Sequence, residues 1–413
     1  MKMRSFKSPL LAIGALFFIF GFITWICSVL IPYLQLACEL NNFQAQLVSF
    51  AFYISYFVMA IPSGRILKRT GFKNGISLGL LIMMMGSLCF IPGAVYRQYS
   101  YFLTGLFIQG TGLAILQTAA NPYVTILGPE NSAAQRMSVM GICSGIAGVL
   151  APIILGKIVL ENADSIRRKL TELSVTEKQL VLDALAARVI QPYLWISFVL
   201  AALSLIFYRL KLPEPQHRLQ SGDAEVVADT EKSIFAYPRL ILGTCCLFLY
   251  VGVEVIAGNT IIGYATWMNV PLEKGKFFTA LTMSGMLVGY LIGIICIPRH
   301  FSQHFALKIS AVLGMAFTLL SLLTNGFISV TFIALLGLAN ALIWPSIWPI
   351  AISGLGSKTE TASSLLVMAI AGGAIMPLLF GWLSDIFSPK FSYWLVIPCY
   401  VSIFWYSGYG NKK

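Results

Sequence analysis

Amide, indole and carboxyl side chains occur inside long apolar stretches of this chain, where polar groups are unfavourable unless they find partners. Gln117 and Asn121 are one helical turn apart and therefore share a face. Asn340, Trp344 and Trp348 follow one another at four-residue steps. Amides donate and accept hydrogen bonds, as sugar hydroxyls require, and an indole can pack on the apolar face of a pyranose ring. The pattern favours a neutral, polyhydroxylated ligand, although a lone Trp also suits an interfacial anchor and a lone Asn suits a bond between helices.

Glu254 is the acidic residue that we place well inside an apolar stretch. A carboxyl in that setting can take up a proton near neutral pH, or it can bind Na⁺ together with neighbouring oxygens. We therefore expect Glu254 to bind H⁺ or Na⁺, which would couple the ion to the movement of a solute if the chain is a carrier, and the alternative is a structural carboxyl that bonds between helices. A carrier in which neither ion matters would be an uncoupled facilitator.

These side chains lie in elements of membrane-spanning length. The chain is 58% hydrophobic and 11% charged, with a mean hydropathy of +0.81, whereas a soluble domain carries about 25% charged residues. A spanning helix needs roughly 20 apolar residues. The predicted spans are 10–31, 44–66, 74–96, 99–126, 134–160, 190–212, 238–264, 275–297, 305–324, 327–355, 360–387 and 391–408.

The first half of the chain recurs in the second half. Residues 16–21 (Leu-Phe-Phe-Ile-Phe-Gly) match residues 247–252 (Leu-Phe-Leu-Tyr-Val-Gly), and the Gly-Pro-Gly spacing of the fifth span returns in the eleventh. The repeat predicts an all-α polytopic membrane protein with twelve transmembrane helices, in two six-helix lobes related by a pseudo-two-fold axis along the membrane normal. We expect one lobe over residues 1–212, a cytoplasmic linker over 213–236 and the second lobe over 237–413.

The net charge of +12 marks cytoplasmic loops in a membrane protein rather than a nucleic-acid partner. Basic residues precede the first span and flank the central loop, so both termini are expected in the cytoplasm. Residues 161–188 carry charges of both signs and predict a short amphipathic helix on the external face. Seven of the eight cysteines fall within spans and are interpreted as free thiols. The three histidines lie in predicted loops without metal-ligand spacing, so no metal site is expected.

The loop between the second and third spans resembles the cytoplasmic signature of the major facilitator superfamily. It has two glycines, Gly64 and Gly71, around the basic residues Arg65, Lys68 and Arg69. The resemblance implies a gating hinge. A basic loop that only obeys the orientation rule would explain the charges but not the glycines, and Lys68 stands where the signature usually has an acidic residue.

A second resemblance is more specific. Residues 116–130 look like the fourth-helix signature of the fucose/galactose/glucose symporters, and residues 30–32, 42–45, 191–194 and 251–254 agree. Similarity over nearly the whole chain implies a monomeric importer of monosaccharides in the cytoplasmic (inner) membrane, driven by H⁺ or Na⁺ and without a bound cofactor. The substrate-binding residues expected from the motifs and the resemblance are Gln117, Asn121, Asn340, Trp344, Trp348, Ser28, Ser144 and Asn259.

The chain departs from this family at several expected contacts. Ser28 stands where fucose-type members have Asp, and Gln117 stands where they have Glu, although glucose/galactose-type members also have Gln. Gly141 and Ser144 replace a Gln and an Asn that help to hold the sugar. The departures leave open a different solute, such as fucose, an amino sugar or a non-sugar. A membrane enzyme is disfavoured, because the sequence has no nucleophile–base pair, metal cluster or phosphate-binding loop.

Overall fold

A computed structural model describes residues 4–126, 133–170, 173–210, 234–297, 302–353, 355 and 359–409, and this part of the chain is helical without strands. The helices are α1 (Arg4–Trp25), α2 (Cys27–Ala37), α3 (Asn42–Leu88), α4 (Phe90–Val95), α5 (Tyr99–Ile126), α6 (Ala133–Val159), α7 (Ala163–Lys169), α8 (Val175–Ala187), α9 (Ile190–Arg209), α10 (Pro238–Asn259), α11 (Ile261–Trp267), α12 (Leu272–Cys296), α13 (Gln303–Leu323), α14 (Gly326–Asn340), α15 (Ile343–Ile352), α16 (Thr359–Met368), α17 (Gly372–Ile386), α18 (Pro389–Ser392) and α19 (Val396–Tyr409). Single 3₁₀ turns occupy 234–236, 369–371 and 393–395.

Eleven segments of the described chain are long and apolar enough to cross a membrane. The first runs to Ala37, beyond the predicted end at residue 31, because α2 continues the span past Pro32. The twelfth predicted span, 391–408, is divided among α18, a 3₁₀ turn and α19. The external segment 161–188 contains two helices, α7 and α8, instead of one, and a Ser174–Glu177 capping box starts the second.

Packing within each half repeats. We call α1–α9 the N-lobe and α10–α19 the C-lobe. In the N-lobe α1 packs on α6, and in the C-lobe α10 packs on α17. Gly21 makes the first contact possible, since a Cβ there would lie 2.7 Å from the Ser144 hydroxyl oxygen, and a Cβ at Gly252 would likewise collide with Met376 in the second. The contacts of α3 with α5 correspond to those of α12 with α14. The repeat seen in the sequence is therefore a repeat in packing.

The lobes meet along two pairs of helices, α3 with α17 and α6 with α12. Small residues permit the approach: Gly373 lies against the Tyr53 ring, and Gly145 lies against Leu287. We call the face that carries the α2–α3, α4–α5 and α11–α12 connections, which the charge pattern predicts to be external, the outer face. Near this face Gly381 touches the backbone of Asn42 and Phe43, so the lobes are in contact there.

The predicted gating loop is a sharp turn within α3. Gly71 has φ 75° and ψ 168°, a conformation that side chains with a Cβ rarely adopt. Gly64 does not have a positive φ, and a Cβ there would meet nothing within 4 Å. Arg65 and Arg69 are exposed. The Lys68 side chain lies outside the described part of the structure, as do residues 213–233 of the predicted linker.

All eight cysteines are free thiols.

Candidate functional site

Glu254 lies on α10 among phenol groups. The Tyr250 hydroxyl, one turn earlier, donates a hydrogen bond to its carboxyl. Tyr53 of the N-lobe and Tyr290 and Tyr400 of the C-lobe are within electrostatic range of the same carboxyl. Phenols are neutral donors, so the Tyr250 hydroxyl serves the carboxyl without a fixed counter-charge. Neither of the two ion pairs found among the described residues involves Glu254, which leaves it able to exchange a proton or bind a cation.

The N-lobe reaches this carboxyl through two tyrosines on α3. Gln117 on α5 donates from Nε2 to the Tyr56 hydroxyl at 3.1 Å. Tyr56 stacks on Tyr53, with ring centroids 6.3 Å apart and an angle of 24° between the planes. Gln117 itself remains partly exposed. The Gln117 amide is thus linked through two buried rings to a point within electrostatic range of Glu254.

The C-lobe contributes an aromatic surface next to the same group. Trp344 and Trp348 on α15 are stacked, with centroids 5.4 Å apart and an interplanar angle of 26°. Trp344 lies 6.5 Å from the Tyr250 ring. Both indoles are partly exposed, whereas Tyr250 is buried. The four-residue spacing read from the sequence therefore places two indoles on one face, next to Tyr250.

Asn340, at the end of α14, is buried, and its Oδ1 accepts a hydrogen bond from the Tyr400 hydroxyl at 2.8 Å. That bond joins α14 to α19 and holds Tyr400 within range of Glu254. Asn340 thus acts in this structure as a bond between helices, the alternative that the sequence left open, and it positions another residue of the site.

Asn259 and Ser28 are also buried. The Asn259 amide donates to Ser49 Oγ at 3.2 Å, which links α10 of the C-lobe to α3 of the N-lobe. The Ser28 hydroxyl donates to the Trp25 carbonyl at 2.8 Å across the break between α1 and α2. Neither side chain is brought to the surface formed by Trp344 and Trp348.

Span five supplies little polar surface to the site. Ser144 packs against Gly21 on α1, and Gly141 faces the Tyr290 ring, where a Cβ at position 141 would lie 3.5 Å from the ring. Asn121 lies on α5, but its side chain is outside the described part of the structure. The structure therefore relates Gln117, Glu254 and the two tryptophans through tyrosines, and it places Ser144 at a helix contact inside the N-lobe.

Sequence reasoning missed the tyrosines that connect these groups. Tyr53 and Tyr56 lie three residues apart inside the second span, and Tyr250 precedes Glu254 by one turn. A phenol at helical spacing from a carboxyl within an apolar stretch is the signal that could have found Tyr250. Nothing local in the sequence points to Tyr290 or Tyr400, because they reach Glu254 from distant helices.

Comparison with known proteins agrees with this architecture. The profile of the Major Facilitator Superfamily matches residues 13–370. A glucose/galactose transporter of Brucella abortus is 33% identical, over 99% of this chain and 96% of that protein. An L-fucose-proton symporter of Escherichia coli is 30% identical, over 92% of this chain and 88% of that protein.

Solved structures give the same result. The crystal structure of FucP, a Major Facilitator Superfamily transporter in the outward conformation, is 28% identical with a TM-score of 0.75, over 99% of this chain and 100% of that one. A bacterial homologue of the human lysosomal transporter Spinster, in an inward-facing and unoccupied conformation, has a TM-score of 0.66 at 16% identity, over 99% of this chain and 97% of that one. At 16% identity, the similarity to the Spinster homologue shows a shared fold.

Proposed function

Since the chain belongs to the Major Facilitator Superfamily, we propose that it is a secondary active transporter that imports a monosaccharide, a hexose such as glucose or galactose, by alternating access. The solved structures that it resembles are transporters, and the relatives that support the sugar are named for glucose, galactose and L-fucose. We place it in the cytoplasmic (inner) membrane with both termini in the cytoplasm, because the basic residues fall in the loops of that side.

One observation carries the proposal. A path of neighbouring groups runs from Gln117 through Tyr56 and Tyr53 into electrostatic range of Glu254, and from Glu254 through Tyr250 to the stacked tryptophans. The path crosses from the N-lobe to the C-lobe. Along this path, the Gln117 amide can hydrogen-bond to sugar hydroxyl groups, and the indole faces of Trp344 and Trp348 can pack on the apolar side of a sugar ring.

Coupling to H⁺ or Na⁺ is assigned to Glu254. Its carboxyl is within electrostatic range of groups from both lobes, Tyr53 from the N-lobe and Tyr290 from the C-lobe. A change in its protonation or in bound Na⁺ would therefore alter an interaction that joins the lobes.

A second candidate is a transporter of the same fold for another small solute, such as fucose, an amino sugar or a non-sugar. The specific observation in its favour is the position of Ser28 and Ser144. Their hydroxyls contact Trp25 and α1, so the first and fifth spans offer the ligand few polar groups. An uncoupled facilitator is the version of this candidate in which Glu254 is only structural.

The test is uptake into proteoliposomes of labelled glucose, galactose, fucose and N-acetylglucosamine, each with a proton gradient, a sodium gradient or neither. We expect accumulation of one hexose under one gradient. Accumulation of a different member of the panel would support the second candidate, and equilibration without accumulation would support a facilitator. Failure of folded protein to move any of the four would overturn the sugar assignment.

A further inference from the structure

The first helix of each lobe has a one-residue break in its regular pattern. In the N-lobe α1 ends at Trp25 and α2 begins at Cys27, while in the C-lobe α10 ends at Asn259 and α11 begins at Ile261. The residues between them, Ile26 and Thr260, keep right-handed helical backbone angles, so each break is a local irregularity within a continuing span. Trp25, beside the first break, lies against Gly258, beside the second.

Trp25 occupies a notch between two glycines. A Cβ at Gly148 would lie 2.7 Å from Cδ1 of the indole, and a Cβ at Gly258 would collide with Cζ3 on the opposite edge of the ring system. Real Cβ atoms do not approach other heavy atoms so closely. The indole therefore fits only because both positions lack a side chain.

The notch spans the contact between the lobes. Gly148 belongs to the same lobe as Trp25, whereas Gly258 and Met283 belong to the other lobe. Met286 and Ala341 complete the apolar surroundings, and Trp25 is 6% exposed. The Thr279 hydroxyl donates to the Gly258 carbonyl at 3.1 Å, which fixes the wall of the notch on the C-lobe side.

The notch also lies next to the candidate site. Gly258 follows Glu254 by one turn of α10, in the direction of the outer face, and the two positions share a side of the helix. Tyr290, which is within electrostatic range of Glu254, packs against the same apolar cluster. A ligand held beside Glu254 would thus have the Trp25 indole between itself and the outer face.

We propose that Trp25 is the residue that closes the outer path: its indole enters the notch of Gly148 and Gly258 when the lobes meet at the outer face. The role of a gate rests on the proposed transport function. The packing requirement does not: Gly258 must lack a side chain for the lobes to close, because the residue at position 25 is large.

The experiment compares Gly258→Ala with Gly263→Ala. Gly263 is the matched control, because it lies on α11 just beyond the break and a Cβ there would meet nothing within 4 Å. Spin labels at Val175→Cys and Leu323→Cys, in a cysteine-free background, report the distance between the lobes at the outer face. Both label sites are highly exposed, at 77% and 79%.

We expect Gly258→Ala to raise the ratio of open to closed distances by about 5- to 150-fold, the range for overpacking a tight contact. Gly263→Ala should leave the distribution unchanged. The double variant Trp25→Phe with Gly258→Ala should return it to the closed distance, because phenylalanine lacks the second ring that meets position 258.

Each result decides the proposal. A closed distance in Gly258→Ala, or an open distance that Trp25→Phe does not reverse, would overturn it. If Gly258→Ala alone does not fold, recovery of folded, closed protein in the double variant supports the proposal, and failure of that recovery contradicts it. The distances need no substrate, so they stand apart from the uptake panel: absent sugar uptake with the expected distances would overturn the proposed function alone.

Discussion

The carboxylate of Asp385, at the end of α17, caps the first turn of α3, where Asn42 lies, although the two residues belong to different lobes. One oxygen accepts from the Asn42 backbone N–H at 3.0 Å and from its side-chain amide at 2.7 Å. The other accepts from the Phe43 N–H at 2.8 Å. The first N–H groups of a helix lack partners within the helix and favour negative charge, so this carboxylate fastens the lobes together at the outer face.

The other lobe makes the same contact in return. Asp164 on α7 accepts from the N–H groups of Leu272 at 2.9 Å and Glu273 at 3.2 Å, the first two residues of α12. Each lobe thus supplies one carboxylate to the beginning of a helix in the other lobe. The internal repeat explains why the two caps are alike.

Removing these caps should favour opening at the outer face. Asp385→Asn and Asp164→Asn each weaken a charge-assisted cap, for which about 1 kcal/mol is typical, and this energy changes the open-to-closed ratio by roughly fivefold. Distance measurements between labels on the two lobes check the result. The double variant should show the two effects added, since the sites do not touch.

Asp183→Asn is the control for these variants. Asp183 is also acidic and on the outer face, but its 3.0 Å ion pair with Arg97 stays within the N-lobe. An equal shift in this variant would mean that loss of surface charge, rather than loss of a cap between lobes, moves the equilibrium.

Replacing Glu254 by Gln should separate transport from its driving force. The amide keeps the shape and can still bond to Tyr250, but it cannot carry a proton. We expect exchange of sugar across the membrane to persist while accumulation above the external concentration is lost. Counterflow and gradient-driven uptake, measured on the same proteoliposomes, make the comparison, and accumulation by this variant would eliminate the coupling role.

The stacked tryptophans should contribute to sugar binding through the faces of their indole rings. Trp344→Ala or Trp348→Ala removes apolar contact worth about 1.5 kcal/mol or more, which corresponds to roughly a tenfold rise in KM for the sugar. The Phe variants should be milder because a ring face remains. Trp382→Ala is the control, since Trp382 is half exposed on α17. Similar KM values in all of these variants would show that the indoles serve packing only.

The sequence predicted those features that depend on local periodicity. The spans follow from runs of apolar residues, and Trp344 and Trp348 share a face because four residues make about one helical turn. Glu254 stands out because a carboxyl is unfavourable in an apolar stretch. These properties depend only on a short segment of sequence and not on its tertiary contacts.

Contacts between distant helices were not predictable in the same way. Asn259 is a polar residue in a span, and its local pattern cannot distinguish a ligand contact from its bond to Ser49 of the other lobe. Trp25 resembles any apolar residue of its span, and only the approach of Gly258 shows that it is enclosed between lobes. The Asp385 cap likewise depends on the angle at which α17 meets α3.

The turn between the second and third spans allows a test with an internal control. Gly71 has φ 75° and ψ 168°, a region that is essentially restricted to glycine, so Gly71→Ala should cost about 1 to 3 kcal/mol. Gly64→Ala in the same loop should be neutral or slightly stabilising, because a Cβ at that position meets nothing within 4 Å and alanine favours the helix. Thermal unfolding of both variants in detergent gives the comparison. If Gly71→Ala is as stable as Gly64→Ala, the conformation at Gly71 is not required for the folded turn, and the loop would owe its two glycines to the movement of the lobes instead.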